Sequence, residues 1–276
     1  MAGSRIKACL VNVDRAQIYC EIAGKGTPLV MIHAAVADCR QWNSEFAYFA
    51  NKYQVLRYDT RGHGKSDPVE GEYSDMRDLQ AVLDTLAPRG PVVLMGCSRG
   101  GGLALDYALE HPDRVQALIM VGSGPGGLDL DVPESPKHAD AQKAWRDGDI
   151  DRAAELETQI WFDGTGRTAQ QVDHAARKLA YAMDRLALGL EARNLGKRLP
   201  NTDRLAFERL AQIKIPVLLV VGEFDEPYLH AATDYMIQRI PSARRVVMNN
   251  AAHLSNMEHP GEFQRFVDDF LEGAKT

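Results

Sequence analysis

The residues Gly96-Cys97-Ser98-Arg99-Gly100 set a serine between two glycines where an apolar run, Val92-Val93-Leu94-Met95, gives way to a helix-forming segment. A sharp strand-to-helix turn brings two stretches of backbone together and strains its central residue. Small flanking residues permit this, and the serine hydroxyl then projects alone into a cleft. A hydroxyl is a poor nucleophile at neutral pH. It needs a histidine base, and that base needs a carboxylate to fix its tautomer and steady the imidazolium. Two later segments offer these groups. The buried run 215–221 passes into Gly222-Glu223-Phe224-Asp225, and the run 244–248 passes into Asn249-Asn250-Ala251-Ala252-His253. The candidates are Ser98, Asp225 and His253. Glu223 and Glu226 compete with Asp225, while His259 competes with His253 but precedes Pro260 and leads into a helix.

The elements that must position these residues can be read from apolar periodicity. Residues 6–13 and 16–23 read as a hairpin turning at Asp14-Arg15. Continuous apolar runs at 29–32, 55–59, 92–97, 115–121, 215–221 and 244–248 read as strands, most of them buried on both faces as in a parallel sheet. Helical spacing falls between them, near 42–50, at 75–86 (Met76, Leu79, Val82, Leu83, Leu86), after Ser98 to His111-Pro112, and at 228–240 and 260–271. From 129 to about 209 the periodicity is helical throughout, with candidates at 139–146, 151–162, 170–185 and 204–210. Strands alternating with helices imply a mostly parallel sheet covered on both faces, with this insert lying as a lid over the carboxyl ends of the strands. The glycine-rich run Gly122-Ser123-Gly124-Pro125-Gly126-Gly127 lacks the lysine of a phosphate cradle and reads as a hinge.

Composition narrows the function classes. With 276 residues, 45% hydrophobic and 25% charged, the chain can bury a sizeable core. A net charge of −6 without basic runs argues against nucleic acid or an anionic membrane as partner, and points to a small, uncharged or weakly charged ligand. No stretch approaches the roughly 20 apolar residues of a membrane helix, and residues 1–5 lead into a mixed segment without a secretory apolar region, so the default location is the cytoplasm. Cys9, Cys20, Cys39 and Cys97 lack Cys-x-x-Cys spacing and read as free thiols.

The order Ser98, Asp225, His253 over successive strands resembles the α/β-hydrolase superfamily, and the resemblance extends over nearly the whole chain. His33-Ala34-Ala35 looks like its oxyanion loop, Arg61-Gly62-His63-Gly64-Lys65-Ser66 like its Arg-Gly-x-Gly-x-Ser turn, and the insert like its helical cap. The resemblance implies an α/β fold with a mostly parallel eight-stranded sheet flanked by helices. Residues 1–128 and 211–276 would form the core and 129–210 an all-helical cap. It also implies an oxyanion hole made of the backbone N–H groups of Ala35 and Arg99. The expected activity is hydrolysis of small-molecule carboxylic esters through an acyl-enzyme, with no cofactor and no metal. Lactone hydrolysis, carbon–carbon bond hydrolysis or perhydrolysis would use the same residues. A ligand-binding receptor on a hydrolase scaffold is the reading from another class. Nothing in the sequence speaks to oligomeric state.

Two positions depart from the family pattern. Ala34 stands where glycine is usual, and Arg99 where an apolar residue is more common. A cation in the first turn of a helix opposes the macrodipole by about 0.3–1 kcal/mol, so Arg99 is expected to find a buried or semi-buried carboxylate such as Asp59 or a cap acid. Binding of an acidic substrate is the alternative. Cys97 should point away from the nucleophile and pack, though its adjacency suggests thiol sensitivity. His33 and His63 are expected to support the active site by hydrogen bonding. Among Trp42, Trp145, Trp161 and Phe162, which fall in segments bordering the cleft, Trp161 is the candidate substrate contact.

Overall fold

A computed structural model of the chain describes residues 6–68, 70–193 and 195–274. The reading of residues 1–5 lies outside this range. Strands β1 (Lys7–Val13) and β2 (Ala16–Gly24) form the expected antiparallel hairpin, turning at Asp14 with a φ of 51°. There follow β3 (Pro28–Ile32), α1 (Asn43–Phe49), β4 (Gln54–Tyr58), β5 (Glu70–Tyr73), α2 (Asp75–Leu86), β6 (Val92–Cys97), α3 (Arg99–Glu110) and β7 (Val115–Val121). The next stretch carries α4 (Lys137–Arg146), α5 (Ile150–Thr158), α6 (His174–Glu191) and β8 (Leu195–Arg198). The chain closes with β9 (Val217–Gly222), α7 (Pro227–Ile237), β10 (Ala243–Met248), α8 (Ser255–Glu258) and α9 (Pro260–Gly273).

Eight strands form one sheet in the order β1-β2-β4-β3-β6-β7-β9-β10, parallel from β4 to β10. Successive side chains of a strand point to opposite faces, so each buried run feeds two layers. Val30, Ile32 and Leu94 pack with Leu79, Leu83, Leu103 and Tyr107 of α2 and α3. Leu29, Met31, Val93 and Met95 pack with Phe46 and Phe49 of α1 and with Phe263, Val267 and Phe270 of α9. Because β3, β4, β6, β7, β9 and β10 run the same way, their carboxyl ends emerge at one edge. There the chain steps from β4 on one side of β3 to β6 on the other, a switch point where parallel sheets open a crevice.

The stretch between β7 and β9 differs from its expectation in three respects. It is not all-helical: β8 pairs in parallel with β5 as a separate two-stranded ribbon. Its register sets Glu72 opposite Lys197, and neither segment has the apolar alternation that marks a half-buried strand. The expected helix at 204–210 is instead two short turns, Ala206–Glu208 and Leu210–Gln212, since a seven-residue segment barely offsets the cost of helix nucleation. Helix α5 ends at Thr158 and widens into a turn in which the Gly164 N–H donates to the Gln159 carbonyl at 3.1 Å, five residues back. Among the described residues no helix is long and apolar enough to cross a membrane.

Candidate active site

Ser98 sits between β6 and α3 with φ 51° and ψ −119°, a conformation that a non-glycine residue holds only when its surroundings impose it. Its N–H donates to the Val121 carbonyl at 2.8 Å, tying the turn to β7. The flanking glycines are dictated by contact. A Cβ on Gly96 would lie 2.3 Å from the Gly100 carbonyl oxygen, and one on Gly100 would lie 2.4 Å from that of Ile32.

The loops after β9 and β10 bring Asp225 and His253 together, both buried. His253 Nδ1 lies 3.0 Å from Asp225 Oδ1 and 3.2 Å from Oδ2, and Oδ1 also accepts the Glu226 N–H at 2.9 Å. An N–H at Nδ1 directed to the carboxylate leaves Nε2 as the acceptor nitrogen. The competing groups are engaged elsewhere. Glu223 accepts the Asn250 N–H, Glu226 faces His138 at 3.4 Å, and His259 meets the Asn250 carbonyl. Gly122, read as part of a hinge, has a packing reason. At its φ of 50°, a Cβ would lie 2.8 Å from His253 Nδ1 and 3.0 Å from Asp225 Oδ2.

Ser98 and His253 line two adjoining cavities of about 440 Å³ and 640 Å³, together with Trp161 and His138. The Trp161 ring lies 4.6 Å from the His253 ring and 5.3 Å from that of His138. Trp145 borders the larger cavity, whereas Trp42 and Phe162 belong to the core. One supporting residue that sequence reasoning missed is Arg167. It donates to the carbonyls of Phe162, Asp163 and Asn250 and pairs with Glu258, whose carboxylate accepts the Ala252 N–H at 2.6 Å. Arg167 thereby pins the wide turn carrying Trp161 to the loop carrying His253. A lone arginine in Gly164-Thr165-Gly166-Arg167 has no sequence signal of its own.

The loop after β3 is held by a second network absent from the sequence reading. The Ala34 N–H donates to Gln41 Oε1 at 2.9 Å, Gln41 Nε2 donates to Asn256, and Asn256 donates to Glu45. Burial pushes the Glu45 carboxyl up to about 7. Ala35 follows at the rim of the larger cavity, and among the described residues nothing accepts its N–H. The Arg99 N–H opens α3, where the first turn has no intrahelical acceptor.

The expectation of a carboxylate for Arg99 fails. Arg99 is half-buried, and among the described residues no acid lies within ion-pair distance of it. Its Nη2 donates to Thr60 Oγ1 at 2.9 Å and lies 3.2–3.5 Å from the His63 ring nitrogens. Thr60 is in turn bonded to His33 Nε2, and His33 Nδ1 lies 2.7 Å from the Ala34 carbonyl. Burial, with the Arg99 charge beside it, pushes His33 down to about 3 and holds His63 well below its ordinary value, so both rings are neutral. Asp59 is occupied by the backbone N–H groups of Cys39 and Lys65. With Asp38 and Cys39 it forms a buried trio, whose atoms lie within 4.8 Å of one another. Asp38 is bound to Arg40, and burial keeps the Cys39 thiol protonated. Cys97 is fully buried beside the His253 carbonyl, its thiol pushed up to about 12, which removes the basis for thiol sensitivity.

A family model described as alpha/beta hydrolase fold matches residues 27–260. The chain is 28% identical over 253 residues to a 2-hydroxy-6-oxononadienedioate/2-hydroxy-6-oxononatrienedioate hydrolase of Burkholderia vietnamiensis, covering 88% of this chain and 86% of the relative. It is also 28% identical over 251 residues to a pimeloyl-[acyl-carrier protein] methyl ester esterase of Aeromonas hydrophila, covering 90% and 96%. Among solved structures, the enol-lactonase from Burkholderia xenovorans LB400 superposes with a TM-score of 0.73 at 23% identity, covering 96% of this chain and 100% of that one.

Proposed function

The chain belongs to the alpha/beta hydrolase fold family, and from that premise we propose that it is a serine hydrolase of small-molecule carboxylic esters. The observation that carries the reading is the buried His253–Asp225 pair at 3.0 Å, on the same cavity wall as a serine held at positive φ. His253 Nε2 takes the Ser98 proton as Oγ attacks the ester carbonyl. Asp225 steadies the resulting imidazolium. The N–H groups of Ala35 and Arg99 receive the oxyanion of the tetrahedral intermediate. The imidazolium protonates the departing alcohol, leaving an acyl-enzyme. Water then attacks the acyl carbonyl, giving a proton to His253, and His253 passes that proton to Ser98 Oγ as the acid is released. Residues 129–210 act as the cap over this cleft, with Trp161 as a substrate wall. The names of the relatives, an esterase and a hydrolase, support a hydrolytic reaction.

The test is covalent. A fluorophosphonate probe should label the protein at one site, with labelling abolished in Ser98→Ala and strongly reduced in His253→Ala. Labelling that survives Ser98→Ala would overturn the assignment of the nucleophile.

A further inference from the structure

We propose that Arg99 forms a carboxylate-binding subsite beside the nucleophile, so that the substrate is an ester bearing a free carboxylate within a few bonds of the scissile carbonyl. The inference rests on the hydrolase reading of the same cavity. A guanidinium withdrawn from water is ordinarily matched by an anion, because burying an unpaired charge is costly. Half-buried Arg99 has no such match among the described residues. Among the described residues its hydrogen-bond partners are the neutral Thr60 hydroxyl and the neutral His63 ring, and they engage Nη2 alone. Among the described residues Nε and Nη1 have no protein acceptor, and Arg99 lines the smaller cavity, so two of its three nitrogens keep donors for a ligand. An ionised carboxylate is the acceptor that bonds such charged donors most strongly.

Arg198, carried by β8, is a second arginine lining the same cavity, and Asp75, the acid whose charge acts most strongly on Arg99, lies 3.6 Å from Arg198 Nη1. Burial lowers the Arg99 pKa and Asp75 compensates only in part, yet a guanidinium stays charged. The Thr60–His33 and His63 contacts hold the cation in place before any ligand arrives, so little ordering remains to be paid on binding. Other acids on the same wall are differently engaged. Glu226 is paired with His138, and Asp106 accepts from Asn201 and is pushed up by burial. Glu134 is exposed.

The experiment compares the methyl hemi-esters of succinate, glutarate and adipate with methyl butyrate, valerate and hexanoate, by titration of released acid. The wild-type kcat/KM for the best hemi-ester should exceed that of its neutral counterpart at least tenfold. In Arg99→Met this preference should fall by roughly tenfold to a hundredfold, the worth of a hydrogen bond to a charged group, while Arg99→Lys should retain part of it. In parallel, calorimetry should detect glutarate binding to Ser98→Ala and its loss in Ser98→Ala/Arg99→Met. A wild-type preference for neutral esters, a preference untouched by Arg99→Met, or glutarate binding indifferent to Arg99 would each overturn the subsite. If no ester is cleaved and the fluorophosphonate fails to label Ser98, the hydrolase reading falls, and calorimetry still decides for or against the carboxylate site.

Discussion

Replacing Gly122 by alanine tests whether the sheet edge was built around the His253–Asp225 pair. Alanine at a φ of 50° costs about 1–2 kcal/mol from backbone sterics alone. Its Cβ would also arrive 2.8 Å from His253 Nδ1 and 3.0 Å from Asp225 Oδ2, closer than real Cβ contacts allow. Neither partner has open space to retreat into, since His253 is 2% exposed and Asp225 3%, so the clash is relieved only by distorting the pair's geometry. The imidazole must therefore shift, and a displacement approaching 1 Å costs catalysis on the order of a hundredfold. Gly90 is the control: its φ is 69°, and a Cβ there would meet nothing within 4 Å. Both variants should lose stability, by about 2–4 °C in Tm for about 1–2 kcal/mol in a chain of this size. Only Gly122→Ala should also lose kcat on p-nitrophenyl butyrate, by about tenfold to a hundredfold. Equal kcat in the two variants would refute the reasoning.

Other consequences can be measured alongside. Asp184 is buried on α6 with both carboxylate oxygens unpartnered among the described residues, and burial, with Glu157 and Glu191 nearby, pushes its pKa up to about 9. A folded-state pKa above the unfolded one means that the folded state binds the extra proton. Stability from this group is then complete below the ordinary carboxylate range and is lost as pH rises toward 9. Thermal melts from pH 5 to 9 should show Asp184→Asn gaining on the wild type as pH rises. Arg167→Ala removes one half of a buried ion pair with Glu258, so a loss of about 3–5 kcal/mol is expected in urea unfolding, with a parallel fall in kcat. Iodoacetamide should leave activity intact, since Cys97 is wholly buried with its thiol pushed up to about 12; rapid inactivation traced to Cys97 would contradict the packing described.

Local rules carried the sequence reading far at the sheet and less far beyond it. Ser98 between Gly96 and Gly100 was legible because backbone contact at a tight turn leaves few residue choices, and buried runs announce parallel strands without knowledge of their partners. Asp225 and His253 followed from their places after β9 and β10. The ribbon of β5 and β8 was illegible because its pairing links residues as far apart as Glu72 and Lys197, with exposed side chains on both strands. The supports at Arg167 and at Gln41–Asn256–Glu45 are likewise long-range polar contacts, which leave no periodic trace. Arg99 failed for a different reason. A carboxylate was expected because the arginine's charge opposes the helix dipole, but among the described residues the guanidinium meets the Thr60 hydroxyl and the His63 ring instead, contacts made between distant loops.

The central claim is that Ser98, activated by the His253–Asp225 pair, attacks an ester carbonyl. Its most direct test is the kcat/KM for p-nitrophenyl esters of two to eight carbons, in wild type and Ser98→Ala side by side. A loss of roughly a millionfold is expected in Ser98→Ala, the scale at which a nucleophile acting as part of such a unit is removed. Hydrolysis at the same rate in both proteins would contradict it.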